Sequence, residues 1–184
     1  RMQIEATRLS ELVQEVINLS RLQDDDPLKN AEVLDVASIA REAIDESRLA
    51  ADRQQIEIVM GDHEVCFVLG DKAQLRMAMS NLIKNAINYS PSSTRVGIGI
   101  NCEDDLVEFT VTDQGVGIPE KDLERIFERF YRVDPARSRE TGGTGLGLSI
   151  VKHVASKHGG DVKVWSAENI GSTFTLLLPI YNNQ

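Results

Sequence analysis

Three asparagines, Asn81, Asn85 and Asn88, recur at i, i+4 and i+7 beside an apolar stripe of Leu75, Ala78, Met79, Leu82, Ile83 and Ala86. Asparagine is a mediocre helix former, so three on one helical face need a reason beyond propensity. Neutral carboxamide oxygens suit a Mg²⁺ ion held beside nucleotide phosphates, although a merely solvated polar face reads the same way. Further on, Val107, Phe109 and Val111 share one phase of the alternating segment Leu106–Thr112, and Asp113 continues that phase. A carboxylate in an apolar phase has to find donors, which makes Asp113 a candidate reader of a ligand amino group. The plainer alternative is an Asp-Gln-Gly turn closing a strand. Gly115 and Gly117 follow at once and permit close backbone approach.

A third signal is Thr141-Gly-Gly-Thr-Gly-Leu-Gly-Leu-Ser149, whose Gly142, Gly143, Gly145 and Gly147 run into a helix. The free N–H groups at such a helix start can cradle an anion. Leu148 stands where a mononucleotide P-loop needs lysine, and a polar, Arg-rich stretch rather than a strand precedes the glycines. Neither the P-loop nor the dinucleotide fingerprint therefore fits.

These residues need elements to hold them. Leu9, Leu12, Val16 and Leu19 are spaced as in a heptad seam, widened by Val13 and Ile17, so residues 1 to about 23 read as a helix expected to pack on partner helices. Folding back on its own domain is the alternative. A linker follows, then a helix over Val36–Ala51 and strands at Ile56–Met60 and Val65–Leu69 around the turn signal Gly61-Asp62. Lys72–Tyr89 reads as a helix stopped by Ser90-Pro91. Strands at Val96–Ile100 and Leu106–Thr112, a helix near Leu146–Lys157, and strands at Val162–Trp165 and Thr173–Leu178 complete the pattern. The fold class is α+β: a two-layer sandwich with an N-terminal helix, helices covering one face of an antiparallel-rich sheet. The division expected is 1–26 for the helix, 27–35 for the linker and 36–184 for the domain.

Composition narrows the function classes. With 184 residues, 41% hydrophobic and 27% charged, the chain reads as one globular unit. A net charge of −9 without a long basic block argues against duplex nucleic acid. No apolar run approaches the ~20 residues that span a bilayer, and no signal-peptide order is present. Cys66 and Cys102 lack metal-site spacing, so two separate thiols in a reducing, cytosolic setting are expected. His63 sits in a turn candidate, while His153 and His158 flank the end of the helix after the glycines without an acidic neighbour, and each reads as structural or solvated.

Taken in order, the motifs are more specific than any one of them. Asn81-Leu-Ile-Lys-Asn85-Ala-Ile-Asn88-Tyr89, Asp113-Gln-Gly-Val-Gly-Ile118, Phe127-Glu-Arg-Phe-Tyr-Arg132, Gly143-Thr-Gly-Leu-Gly147 and Gly171-Ser-Thr-Phe174 resemble the N, G1, F and G2 boxes and last glycine motif of the histidine kinase branch of the GHKL superfamily. The resemblance implies ATP and Mg²⁺ as ligands. Asp113 would accept from the adenine amino group and Asn85 would hold the metal, with Asn81 as a second candidate. Tyr89, Gly115, Gly117, Ile118, Phe130, Thr144 and Leu146 would belong to the nucleotide site, with Gly143, Gly145 and Gly147 near the phosphates. Residues from about Glu128 to Thr141 would form a lid carrying Arg132, Arg137 and Arg139. Asn88 departs from the family's usual lysine, leaving Lys84 or a lid arginine as substitutes. The first helix resembles the second helix of the dimerisation and phosphotransfer hairpin, which puts the phosphoacceptor histidine ahead of Arg1. The resemblance further implies a homodimer, a response-regulator partner, and the cytoplasmic portion of a membrane-anchored bacterial sensor. A non-transferring nucleotide scaffold and an anti-sigma-type serine kinase are the rival readings.

Overall fold

A computed structural model describes residues 2–24, 26–134 and 143–182. Helix α1 covers Met2–Asp24, and a single 3-10 turn at Pro27–Asn30 leads to strand β1, Glu32–Asp35. Part of the stretch expected as linker is therefore strand. Helix α2 spans Val36–Arg53, with Asp35 as its N-cap accepting from Ala37 N at 3.1 Å. Such caps are worth about 1 kcal/mol. Strands β2, Glu57–Met60, and β3, Phe67–Gly70, precede helix α3, Lys72–Tyr89, which starts at the residue the sequence suggests because Asp71 caps Gln74 N at 2.9 Å. Strands β4, Arg95–Glu103, and β5, Leu106–Thr112, are followed by helix α4, Gly147–Lys157, and by β6, Asp161–Ala167, and β7, Gly171–Pro179.

The main sheet has the order β2-β4-β5-β7-β6, antiparallel except for the parallel pair β2 and β4. β2 and β3 do not form the local pair their intervening turn suggests; β3 instead joins β1 in a separate two-stranded sheet, with Val33 opposite Leu69. One face of the main sheet is apolar. Val96, Ile98 and Ile100 of β4, Val107, Phe109 and Val111 of β5, and Phe174, Leu176 and Leu178 of β7 share one buried cluster with residues of α2, α3 and α4. The two-layer expectation is met, and the phase assigned to β5 is the buried one.

The stripe on α1 divides. Leu19 and Leu22 are buried, and His153 Nε2 of α4 bonds Leu22 O at 3.0 Å, whereas Leu9, Val13, Val16 and Ile17 remain exposed. The far end of the helix thus folds back on its own domain while the rest of the seam stays open. Cys66 and Cys102 are not separate thiols. Their Cα atoms lie 6.3 Å apart and the sulfurs are bonded, because the entry to β3 and the far end of β4 meet although 36 residues separate them.

Candidate functional site

A cavity of about 690 Å³ opens beside α3 and the start of α4, within the ~300–1,000 Å³ usual for small-molecule sites. Of the residues singled out from sequence, Asn81, Asn85, Tyr89, Asp113, Gly117, Ile118, Arg132, Gly143, Thr144, Gly145 and Gly147 line it, as do Lys84 and Asn88. Gly115, Phe130 and Leu146 are not among its lining residues. Leu146 is fully buried in the core, and Phe130 is 59% exposed. Arg137, Arg139 and Gly142 lie outside the described residues.

Asp113 sits at the end of β5 with 6% of its surface exposed. Its Oδ1 accepts from Gly115 N at 2.8 Å and Ser172 N at 3.2 Å, and its own N–H donates to Ser172 O at 2.9 Å. Burial pushes the carboxyl above its ordinary range, and the two backbone N–H groups pull it partly back. With Oδ1 taken up by the chain, Oδ2 is the oxygen left to meet a ligand donor. Ser166 completes the support, accepting from Ile118 N at 2.8 Å and pairing with Ser172 Oγ at 2.9 Å. Gly117 has a φ of +71°, and a Cβ there would stand 2.1 Å from Ala167 O, so no other residue fits this turn.

At the opposite end, α4 starts without a side-chain cap. Its first-turn amides are therefore donors for an anion. Asn81 Nδ2 donates to Met77 O of its own helix at 3.0 Å, which leaves Oδ1 facing Gly147, where a Cβ would lie only 3.1 Å away. The asparagine row and the glycine turn are thus in contact. Gly145, at φ +79°, accepts from Phe130 N at 2.9 Å, and a Cβ there would lie 2.9 Å from Phe130. Phe130 therefore serves the site through its backbone rather than its ring.

Sequence reasoning missed several residues. Tyr131 lines the cavity, and its hydroxyl donates to the buried Asp122 at 2.5 Å, a bond that pushes the phenol above its ordinary range. Arg125 stacks over the Tyr131 ring at 4.2 Å, and Phe127 meets Phe174 edge to face at 6.5 Å. Glu168 and Asn169, in the turn between β6 and β7, also line the cavity, as does Glu15 of α1. Nothing local in the sequence distinguishes these three. The histidines hold structure. His158 Nδ1 donates to Val154 O at 2.8 Å while Nε2 accepts from Asp71 N at 3.1 Å, so the ring is neutral, and burial keeps its pKa below the ordinary value.

A family model described as histidine kinase-, DNA gyrase B- and HSP90-like ATPase matches residues 70–182. The sensor-like histidine kinase SenX3 of Mycolicibacterium smegmatis is 49% identical over 181 residues, 98% of this chain and 47% of that protein. The chain spans less than half the length of the curated relatives it matches. Among solved structures, the mycobacterial sensor histidine kinase MprB superposes with a TM-score of 0.70 at 34% identity, covering 81% of this chain and 97% of that one. Full-length ShkA in complex with AMPPNP gives a TM-score of 0.80 at 27% identity over 95% of this chain and 36% of that one.

Proposed function

Because the chain belongs to the histidine kinase-, DNA gyrase B- and HSP90-like ATPase family, in its sensor histidine kinase branch, we propose that it is the ATP-binding catalytic part of a two-component sensor histidine kinase. The observation that carries this reading is one cavity with a buried carboxylate at one end, an uncapped helix start at the other and a row of carboxamides along its wall. Those three features match a purine amino group, a phosphate chain and a divalent cation respectively. The AMPPNP complex of the similar ShkA agrees with an adenine nucleotide.

In this reading Asp113 Oδ2 accepts from the adenine amino group, while Tyr89, Gly117 and Ile118 flank the nucleoside. Asn85 is the Mg²⁺ ligand, with Asn81 beside it. A bound Mg²⁺ supplies charge neutralisation between the phosphates. Gly143, Thr144, Gly145 and Gly147 with the first turn of α4 hold the phosphate chain, and Arg132 and Lys84 add positive charge. Family members that hydrolyse ATP carry a glutamate where this chain has Asn81. An amide cannot take a proton at neutral pH, so the cavity excludes efficient hydrolysis and keeps the γ-phosphoryl group for another nucleophile.

That nucleophile is a histidine on a helical hairpin of which α1 is the second helix, and the exposed seam of Leu9, Val13, Val16 and Ile17 supports a partner helix and a homodimer there. An aspartate of a response regulator is the next acceptor, and a membrane-anchored sensor with this part in the cytoplasm is the expected whole. Among the described residues no helix is long and apolar enough to cross a membrane. Incubating the chain with γ-labelled Mg-ATP and the hairpin's first helix, supplied in trans, tests the proposal. Acid-labile phosphohistidine is the expected product. Tight nucleotide binding without label points to a scaffold, and acid-stable label on serine points to the serine kinase reading.

A further inference from the structure

The nucleotide domain does not build the cavity wall alone. Glu15 of α1 lines the cavity together with Arg132, Gly143 and Thr144, and its Oε2 accepts a hydrogen bond from Thr144 Oγ1. Contacts nearer the C-terminal end of α1 hold it there: Leu19 and Leu22 are buried in the core, and His153 of α4 bonds Leu22 O. The Thr144 hydroxyl also accepts from Leu146 N at 3.2 Å. A line of carboxylate, hydroxyl and amide therefore runs from α1 to the approach of α4, the part of the cavity assigned above to the phosphate chain. Carboxylate and phosphate oxygens compete for the same donors, and like charges sharing one site repel.

We infer that Glu15 is a specificity-determining residue through which α1 makes the cavity discriminate between nucleoside tri- and diphosphates. While α1 lies against α4, the Glu15 carboxylate engages Thr144 and puts negative charge beside the γ-phosphate position, so a diphosphate is favoured. When α1 withdraws, Thr144 is released and the triphosphate is favoured. This inference rests on the nucleotide reading of the cavity.

Calorimetric titration of the chain and of Glu15→Gln and Glu15→Ala with Mg-ADP and with a non-hydrolysable Mg-ATP analogue tests it. Both variants should bind the triphosphate about tenfold more tightly than the parent, the effect of one partly screened charge at close range, while ADP affinity stays within about twofold. Glu15→Gln keeps an acceptor for Thr144, so a response from that variant isolates the charge. His153→Ala, which loosens α1 without touching the cavity, should shift the ratio in the same direction. An unchanged ratio in both Glu15 variants, or weaker triphosphate binding in either, overturns the inference. If the parent chain binds neither nucleotide, the nucleotide reading itself falls, and this inference with it.

Discussion

Replacing Asp113 with asparagine separates binding from folding at one position. Asn Oδ1 can still accept from Gly115 N and Ser172 N, the bonds that hold the side chain at 2.8 and 3.2 Å. The outer atom, however, becomes an NH₂ donor facing the amino donor of adenine. A hydrogen bond to a charged group contributes about 1.5–3 kcal/mol and is replaced here by two donors facing each other, so nucleotide affinity should fall by roughly a hundredfold. Stability should move the other way. The folded-state pKa of Asp113 is raised by burial above its ordinary 3.8. Between 3.8 and that raised value the folded chain holds the proton more firmly than the unfolded one. Stability therefore declines as pH rises through that window and stays reduced above it. Asp113→Asn removes the cost of burying the charge, so at pH 7 the variant should melt no lower than the parent. Any advantage it has should shrink as the pH falls through that window. Titration with ATP by calorimetry, and melting curves followed by circular dichroism from pH 4 to 8, read both quantities. Adenine nucleotide affinity within about threefold of the parent, in a folded variant, would refute the assignment of Asp113 as the purine reader.

Other substitutions test the remaining parts of the site. Asn85→Ala should abolish the enhancement of nucleotide affinity by Mg²⁺ while leaving metal-free binding in place; an undiminished Mg²⁺ response in the titration rules Asn85 out as the ligand. Tyr131→Phe leaves the buried Asp122 carboxylate without its phenol donor. It should destabilise the chain by about 1–3 kcal/mol in chemical denaturation, and an unaltered midpoint shows the bond to be dispensable. His158, with a folded pKa below its ordinary 6.5, contributes stability that is complete above 6.5 and is lost as the pH falls from there to the folded value. The melting temperature should therefore drop over that interval, and His158→Gln should flatten this part of the profile. Parallel profiles for the two proteins assign the acid sensitivity elsewhere.

Local signals in the sequence were legible and non-local ones were not. The apolar spacing and the Ser90-Pro91 stop give α3, and the alternation through Val107, Phe109 and Val111 gives the buried face of β5, because periodicity and stop signals are written in adjacent residues. β1 passes as linker because Glu-Val-Leu-Asp is too short to show a period. β2 is a strand where expected, but its pairing is hidden: Gly61-Asp62 is a turn signal, yet the pairing partner of β2 is β4, on the far side of α3. The cysteine bond likewise depends on a meeting of distant segments that spacing does not encode. The site follows the same division. Asp113, Asn85 and the glycine turn announce themselves by residue type against local pattern. Glu15 reaches the cavity from 129 residues away and Tyr131 finds a partner in an unremarkable Glu-Lys-Asp turn. Leu146 and Phe130 were carried with their motifs, and the fold uses the first as core and the second through its main chain.

His158, just past the end of α4, binds the residue before α3, while Gly147 at the start of α4 abuts Asn81, halfway along α3. α4 is thus held at both its ends against the first half of α3, and the span between the carboxamide row and the opening turn of α4 is fixed before any nucleotide arrives. Filling and emptying the cavity should leave amide exchange along the buried faces of both helices unaltered, and concentrate the change at Phe130–Asp134 and along α1. Adjustment to a bound nucleotide is then left to those outer parts, with the paired helices serving as a constant gauge.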